Sequence, residues 1–330
     1  MPSVKYLVIG SNCFTGSHIV DGLLSDPDCE VVGVSRSAEY KSLFLPYKQR
    51  EPGRFKFHQV NLISGFDDLV KLLEAERPQI VINVAALSEV GLSNERPVEY
   101  FDTNSLGVVR LCNYLRTCDY LERYVHISSA EIFGSCQDPV TEEVLFNPST
   151  PYAVSKAAAD MYLNVLLHNF DFPVSIIRST NVYGRHQQLF KIIPRTVIYV
   201  KQGKTLELHG GGKSSKSFVH VRDVVAGLMS VIQQNRTGTY HFSVPSEVTV
   251  AGVVRQVCTH MGVEFEEVTR VVGERLGQDS RYSLDCTKAK EELGWEPQVR
   301  FEDGVGEVVD WIESNWEAVI QEPLVYEHKV

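Results

Sequence analysis

The sequence has no surplus of positive charge: 32 lysines and arginines stand against 42 aspartates and glutamates, a formal net charge of -10. Nucleic acid and an anionic membrane are therefore excluded as main partners, and any anionic ligand must meet a local basic pocket. Cysteine is sparse and scattered: the seven (Cys13, Cys29, Cys112, Cys118, Cys136, Cys258, Cys286) are odd in number and never spaced Cys-x-x-Cys. That argues against a disulfide framework and a zinc site, so no metal is expected, and it favours free thiols in a reducing compartment. No apolar run approaches ~20 residues, the length a membrane-spanning helix needs. The N-terminus enters a strand at Val4 without a basic and then apolar leader. A cytoplasmic protein is expected. Internal repeats, low-complexity tracts and flexible linkers are also missing.

What is present is the composition of an ordinary globular chain, 43% hydrophobic and 22% charged over 330 residues. The first half alternates short apolar runs with helical patterns. Residues 6–9, 30–35, 55–62, 80–84, 125–128 and 174–178 read as strands, and 18–24, 67–76, 98–117 and 152–169 carry helical spacing. Near-continuous apolar strands separated by helices predict a parallel sheet covered on both faces. With a glycine-bearing first turn, the fold class is α/β, a doubly wound parallel sheet of the Rossmann type. After about Arg178 short strands (206–208, 217–220) mix with helices (223–233, 250–261), which predicts a smaller α+β substrate lobe. Residues 1–180 are expected to hold a dinucleotide and 181–330 its partner substrate, with part of 215–245 returning to the first unit.

The turn after the first strand reads Gly10-Ser11-Asn12-Cys13-Phe14-Thr15-Gly16. Gly10 permits the tight turn, and Gly16 lets the helix pack closely with its N-terminus toward a pyrophosphate. Cys13 stands where a middle glycine is usual. At the end of the second strand a carboxylate would bond the ribose hydroxyls of NAD; Ser35-Arg36-Ser37 offers hydroxyls and a guanidinium instead, which suit a 2′-phosphate. NADP is therefore expected over NAD. Asn61-Leu62 falls where an adenine edge would lie, although Asn61 suits a plain turn equally. Ala85-Ala86 is small enough for ribose and nicotinamide to lie on the backbone, with Ser88 beyond it for the substrate.

Tyr152-Ala153-Val154-Ser155-Lys156 places a phenol and an ammonium one helical turn apart on one face. It follows a strand that ends in Ser128-Ser129. A phenol there is poised to move a proton while a hydride moves, its pKa lowered by the ammonium and a positive nicotinamide.

These features resemble an extended short-chain dehydrogenase/reductase of the nucleotide-sugar epimerase/dehydratase group. The resemblance runs nearly end to end: the Gly10 turn, Ala85-Ala86, Thr103-Asn104, Ser128-Ser129-x-Glu131-x-x-Gly134, Pro151-Tyr152-Ala153-Val154-Ser155-Lys156, and Arg178-x-x-Asn181-x-Tyr183-Gly184. It continues through Ser217-Phe218-Val219-His220-Val221-x-Asp223, Arg281-Tyr282-x-x-Asp285-x-x-Lys288 and Leu293-Gly294-Trp295-x-Pro297. It implies a catalytic Ser129, Tyr152 and Lys156, a tightly held and recycled cofactor, a nucleotide-diphosphate sugar substrate, and a homodimer formed through helices 98–117 and 152–169.

Glu131 separates members of such a group. The 4-epimerases usually carry small or hydroxyl residues there, whereas 4,6-dehydratases carry a carboxylate that takes the proton from carbon 5. Hexuronate decarboxylases also carry a glutamate. Ala130 departs from the dTDP-glucose dehydratases, which have an aspartate to protonate the leaving hydroxyl; GDP-mannose dehydratases lack that aspartate too. Asn181, Lys191, Lys216, Arg222 and Arg281 supply the polar groups for a diphosphate and nucleoside, Leu206 opens a stretch resembling a base-packing loop, and residues 277–282 resemble the Arg-Tyr segment of deoxysugar dehydratases. The expected activity is that of an NDP-hexose 4,6-dehydratase; the alternatives are a UDP-hexuronate decarboxylase, a 4-epimerase, and a silent NADP(H)-sensing protein.

Overall fold

The apolar runs of the first half pair as parallel strands because each is buried on both faces and joined to the next by a helix. The structure, a computed structural model, describes residues 4–50, 53–273 and 281–328. Its sheet contains β1 (Val4–Ile9), β2 (Cys29–Ser35), β3 (Phe55–Gln59), β4 (Ile80–Asn83), β5 (Arg123–Ile127), β6 (Val174–Ser179) and β11 (Gly238–Phe242). The order is β11-β6-β5-β4-β1-β2-β3, with every pairing parallel. Successive residues of β1 feed opposite cores. Tyr6 and Val8 pack with Ile19, Val20 and Phe242, and Leu7 and Ile9 pack with Leu69, Leu111 and Leu163. The helices doing this covering include α1 (Phe14–Leu23), α2 (Phe66–Glu76) and, after the short α3 (Val90–Ser93), the segment 97–115. A third core, with Ile193, Val253 and Val308, lies in the second lobe.

Two expected elements differ in ways that matter below. The third strand stops at Gln59, because Asn61 Oδ1 accepts from Ile63 N at 2.8 Å and Ser64 N at 3.2 Å and turns the chain toward α2. The single helix expected over 98–117 is α4 (Pro97–Phe101), a π-helical turn (Asp102–Leu106) and α5 (Gly107–Leu115). The wider turn aims Asn104 back at the loop after β4. The seventh strand, β11, comes from the second half and pairs with β6, beyond the six strands the sequence pattern predicts. Among the described residues no helix is long and apolar enough to cross a membrane.

Candidate active site

The carboxyl ends of β1, β4 and β5 converge on one edge, where open α/β sheets bind ligands. Gly10 has φ +93°, and a Cβ there would lie 2.7 Å from Ala85 N; a Cβ on Gly16 would overlap the carbonyl of Gly10. Both glycines are thus required by close backbone approach. Cys13 caps α1: its Sγ accepts from Gly16 N at 3.2 Å, and burial pushes its pKa up to about 11, so the cap is a neutral thiol. Phe14 and Thr15 begin the helix behind it. Asn12 Nδ2 donates to Ser37 O (3.1 Å) and Ala38 O (2.8 Å), tying the first turn to the loop after β2. Ser35 Oγ accepts from Asn12 N at 3.0 Å, so one of its lone pairs serves the turn. Arg36 is half-buried at the same strand end. Asn61 uses its side-chain oxygen in the turn described above, and Leu62 is buried in the core.

The loop after β4 is fixed from both sides. Ala85 N donates to Asn83 Oδ1 at 3.1 Å, Leu87 N donates to Asn104 Oδ1 at 2.9 Å, and Asn104 Nδ2 donates to Leu87 O and Ser155 Oγ, both at 3.0 Å. Ala85 and Ala86 line this shelf, and Ser88 beyond them is exposed. The sequence motif Thr103-Asn104 discloses no role for Asn104; the π turn that sets its spacing to the loop does.

The catalytic candidates follow β5. Ser129 caps a 3-10 turn, Ala130–Phe133, its Oγ accepting from Glu131 N at 3.2 Å. Helix α6 (Pro151–Phe170) begins with Pro151 in its first turn and is capped by Thr150, whose Oγ1 accepts from Ala153 N at 3.2 Å. This sets Tyr152 and Lys156 at i and i+4 facing the strand end. Tyr152 is 8% exposed. Burial pushes its pKa up, the Glu131 carboxylate pushes it further, and a hydrogen bond with Ser129 draws it down. Ser129, Glu131 and Tyr152 therefore form one group. Lys156 is 2% exposed, and its Nζ donates to Ile127 O at 2.7 Å and to His126 Nε2 at 3.2 Å. Burial lowers its pKa to about 8, with Asp160 opposing. Both of these Lys156 bonds run to the strand behind the phenol. Asp160 itself is buried against Arg178, Nε to Oδ2 at 2.9 Å, which pins α6 to β6.

The second lobe brings together only part of its expected set. On β7 (Asn181–Tyr183), which pairs with β10 (Phe218–His220), Asn181 Oδ1 accepts from Tyr282 OH at 3.2 Å. Lys216, in the short β9 (Ser215–Lys216), lies over the Tyr282 ring at 4.2 Å, and Tyr282 packs with Ala130 and Phe133 of the catalytic turn. Arg281 is nearby, bonded to Glu247 at 2.9 Å and to Gln137 O. Lys191, before α7 (Ile192–Lys201), reaches Glu89 beside Ser88 at 3.5 Å. Two expected residues lie elsewhere. Leu206, on β8 (Leu206–His209), is 2% exposed in a core with Val254 and Cys258, because the strand turns it inward. Arg222, on α8 (Val221–Gln233), pairs with Glu307 in a separate depression that also contains His18 and His220. Residues 277–280 lie outside the described residues.

A buried phenol with a serine and an ammonium, at the edge of a parallel sheet whose first turn is closed by glycines, is the arrangement expected of a nicotinamide-dependent enzyme of the short-chain type. The residues fit the cofactor on their own geometry: a turn into which no Cβ fits, a neutral cap and a shelf of alanines. The family model described as GDP-mannose 4,6 dehydratase matches residues 7–308, and the chain belongs to that family. It is 30% identical to a dTDP-glucose 4,6-dehydratase of Haemophilus influenzae, over 93% of this chain and 97% of that one. A dTDP-D-glucose 4,6-dehydratase of Mus musculus is also 30% identical, over 94% and 89%. Among solved structures, the dTDP-glucose 4,6-dehydratase DesIV of Streptomyces venezuelae, with NAD bound, superposes with a TM-score of 0.87 at 30% identity, covering 96% of this chain and 98% of that one.

Proposed function

We infer that the protein is a nucleotide-sugar 4,6-dehydratase that converts an NDP-hexose to an NDP-4-keto-6-deoxyhexose. The observation that carries this reading is Glu131: a carboxylate on the turn capped by Ser129, close enough to Tyr152 to raise its pKa. A simple 4-epimerase has no use for that second base. When bound, the nicotinamide supplies a hydride acceptor for carbon 4 and a hydride donor for carbon 6. Tyr152 takes the proton of the 4-hydroxyl, Ser129 orients that hydroxyl, and Lys156 holds positive charge beneath the phenol. The 4-keto group makes the carbon-5 proton acidic; Glu131 removes it, delivers a proton to the hydroxyl leaving carbon 6 as water and, recharged from solvent, returns a proton to carbon 5 as hydride reaches carbon 6. With Ala130 apolar, one carboxylate serves both steps.

Gly10, Asn12, Cys13, Phe14, Thr15, Gly16, Ser37, Ala85 and Ala86 are assigned to the cofactor, and Ser88, Asn181, Lys191, Lys216 and Arg281 to the nucleotide sugar. For the finer choice of cofactor, NADP rests on the Arg36 guanidinium with the Ser35 and Ser37 hydroxyls beside it; DesIV holds NAD. We assign residues 1–180 with β11 to the cofactor unit and the remainder to the sugar lobe. A homodimer is supported by apolar side chains left open on α4, the π turn and α6, with Val98 at 69% and Met161 at 61% exposure. The seven free thiols fit a cytoplasmic setting.

Incubation with a panel of nucleotide sugars, without added cofactor, tests the reading. A 4-keto-6-deoxy product is expected. Carbon dioxide from a UDP-hexuronate would make it a decarboxylase, inversion alone an epimerase, and no turnover with bound cofactor a sensor.

A further inference from the structure

His126 lies fully buried on β5 beneath the catalytic group, and no step above uses it. Its Nε2 is 3.2 Å from Lys156 Nζ, and its Nδ1 is 3.3 Å from Tyr124 OH. Tyr124 OH in turn accepts from Asn83 Nδ2 at 3.1 Å, and Asn83 Oδ1 accepts from Ala85 N at 3.1 Å. Asn83 and His126 are paired in register on adjacent strands, so the chain crosses the sheet from the lysine to the alanine shelf. An ammonium has three donors and no acceptor. The bond between Lys156 and His126 therefore requires an unprotonated Nε2, which places the proton of a neutral imidazole on Nδ1, donated to Tyr124.

We propose that His126 is a positioning residue for Lys156: an imidazole locked in the Nδ1–H tautomer that accepts from the ammonium, aims it and keeps it charged in a buried site. This rests on the dehydratase reading for its consequence, not for its geometry. With Ile127 O, it takes two of the three N–H groups of Lys156. The other titratable groups around this chain are Tyr124 on β5, Cys112 on α5, Tyr152 and Asp160 on α6, and Arg178 on β6, which is committed to Asp160. Burial and the neighbouring ammonium both push the His126 pKa down, which keeps the ring neutral. Removing the acceptor leaves a buried N–H⁺ unmatched and disfavours the charged lysine.

The test has two arms. Nitrogen-15 NMR of histidine-labelled protein, with His126 assigned by its loss in His126→Gln, should show a protonated Nδ1 and a bare Nε2 without any substrate; Lys156→Met should shift Nε2. In turnover, His126→Phe should lower kcat about tenfold or more. Its alkaline limb should move to lower pH, because a lysine without its acceptor loses its proton sooner, while KM for the sugar nucleotide stays within about twofold. His126→Gln, whose amide oxygen reaches the place of Nε2, should recover most of the rate. A proton on Nε2, an unmoved limb in His126→Phe, or a glutamine variant as impaired as phenylalanine would each overturn the proposal. If the wild-type protein turns over no nucleotide sugar, the dehydratase reading falls and the NMR arm still decides this one.

Discussion

Lys156 at the sheet edge and Arg222 in the second lobe are both cations in segments that match one family, yet they are held in opposite ways. Lys156 is buried and bonded to a strand carbonyl and an imidazole, so backbone register decides where its charge sits. Arg222 is solvent-exposed and leans on Glu307, as Arg281 leans on Glu247 and Lys191 on Glu89. Exposed pairs of this kind contribute little, about 0–1 kcal/mol, and exchange partners readily. The first region holds its charge in place through the fold; in the second, the cations lean on weak partners, and of the three only Lys191 and Arg281 lie near the cluster around Ser88 and Tyr282.

The largest effect should come from the preorganised side. Tyr152→Phe should lose about 10²–10⁴-fold in kcat while retaining cofactor, since only the proton acceptor is removed. Cofactor content after gel filtration, set beside turnover, checks it; a variant keeping more than about a tenth of the rate breaks the contrast. Next, Glu131→Gln should still oxidise carbon 4 but stall before elimination. Absorbance of reduced nicotinamide should rise on mixing with substrate while 6-deoxy product falls about 10²-fold. Unimpaired dehydration by this variant would take the carbon-5 base role away from Glu131.

In the second lobe the effects should be smaller and should separate. Lys216→Ala should raise KM for the sugar nucleotide about tenfold, as loss of one charge-assisted contact implies, while Arg222→Ala should leave KM within about twofold. Equal effects would erase the distinction between the two cations. Arg36→Asp should shift preference from NADP toward NAD. If denatured wild-type protein releases only NAD, the NADP assignment is wrong and the variant should change little.

The same contrast explains what was legible in the sequence. Where a residue type is dictated by backbone packing, one chain suffices: Gly10 and Gly16, the strand before Ser129, and the i, i+4 pair on α6 all stand where their spacing places them. Long-range partnerships were not readable. His126 looked like one more buried strand residue, because nothing local says that a lysine thirty positions on will meet its Nε2. The π turn that aims Asn104 is invisible in a periodic helical pattern, and Asn61 could be weighed between turn and ligand only by seeing its oxygen capping Ile63 and Ser64. Leu206 and Arg222 were assigned from the segments that carry them, and the strand and helix that hold them turn each side chain away from the cluster around Tyr282.

The central claim is that one site removes a hydride from carbon 4 and returns it to carbon 6 with Glu131 acting between. Supplying the accepted NDP-hexose deuterated at carbon 4, mixed with unlabelled substrate in ordinary water, tests it directly. Mass spectrometry and NMR of the product should find the deuterium at carbon 6 of the molecules that carried it, with none crossed into product from the unlabelled substrate. Deuterium still at carbon 4 of a sugar that has only inverted, or no 6-deoxy product at all, would contradict the account.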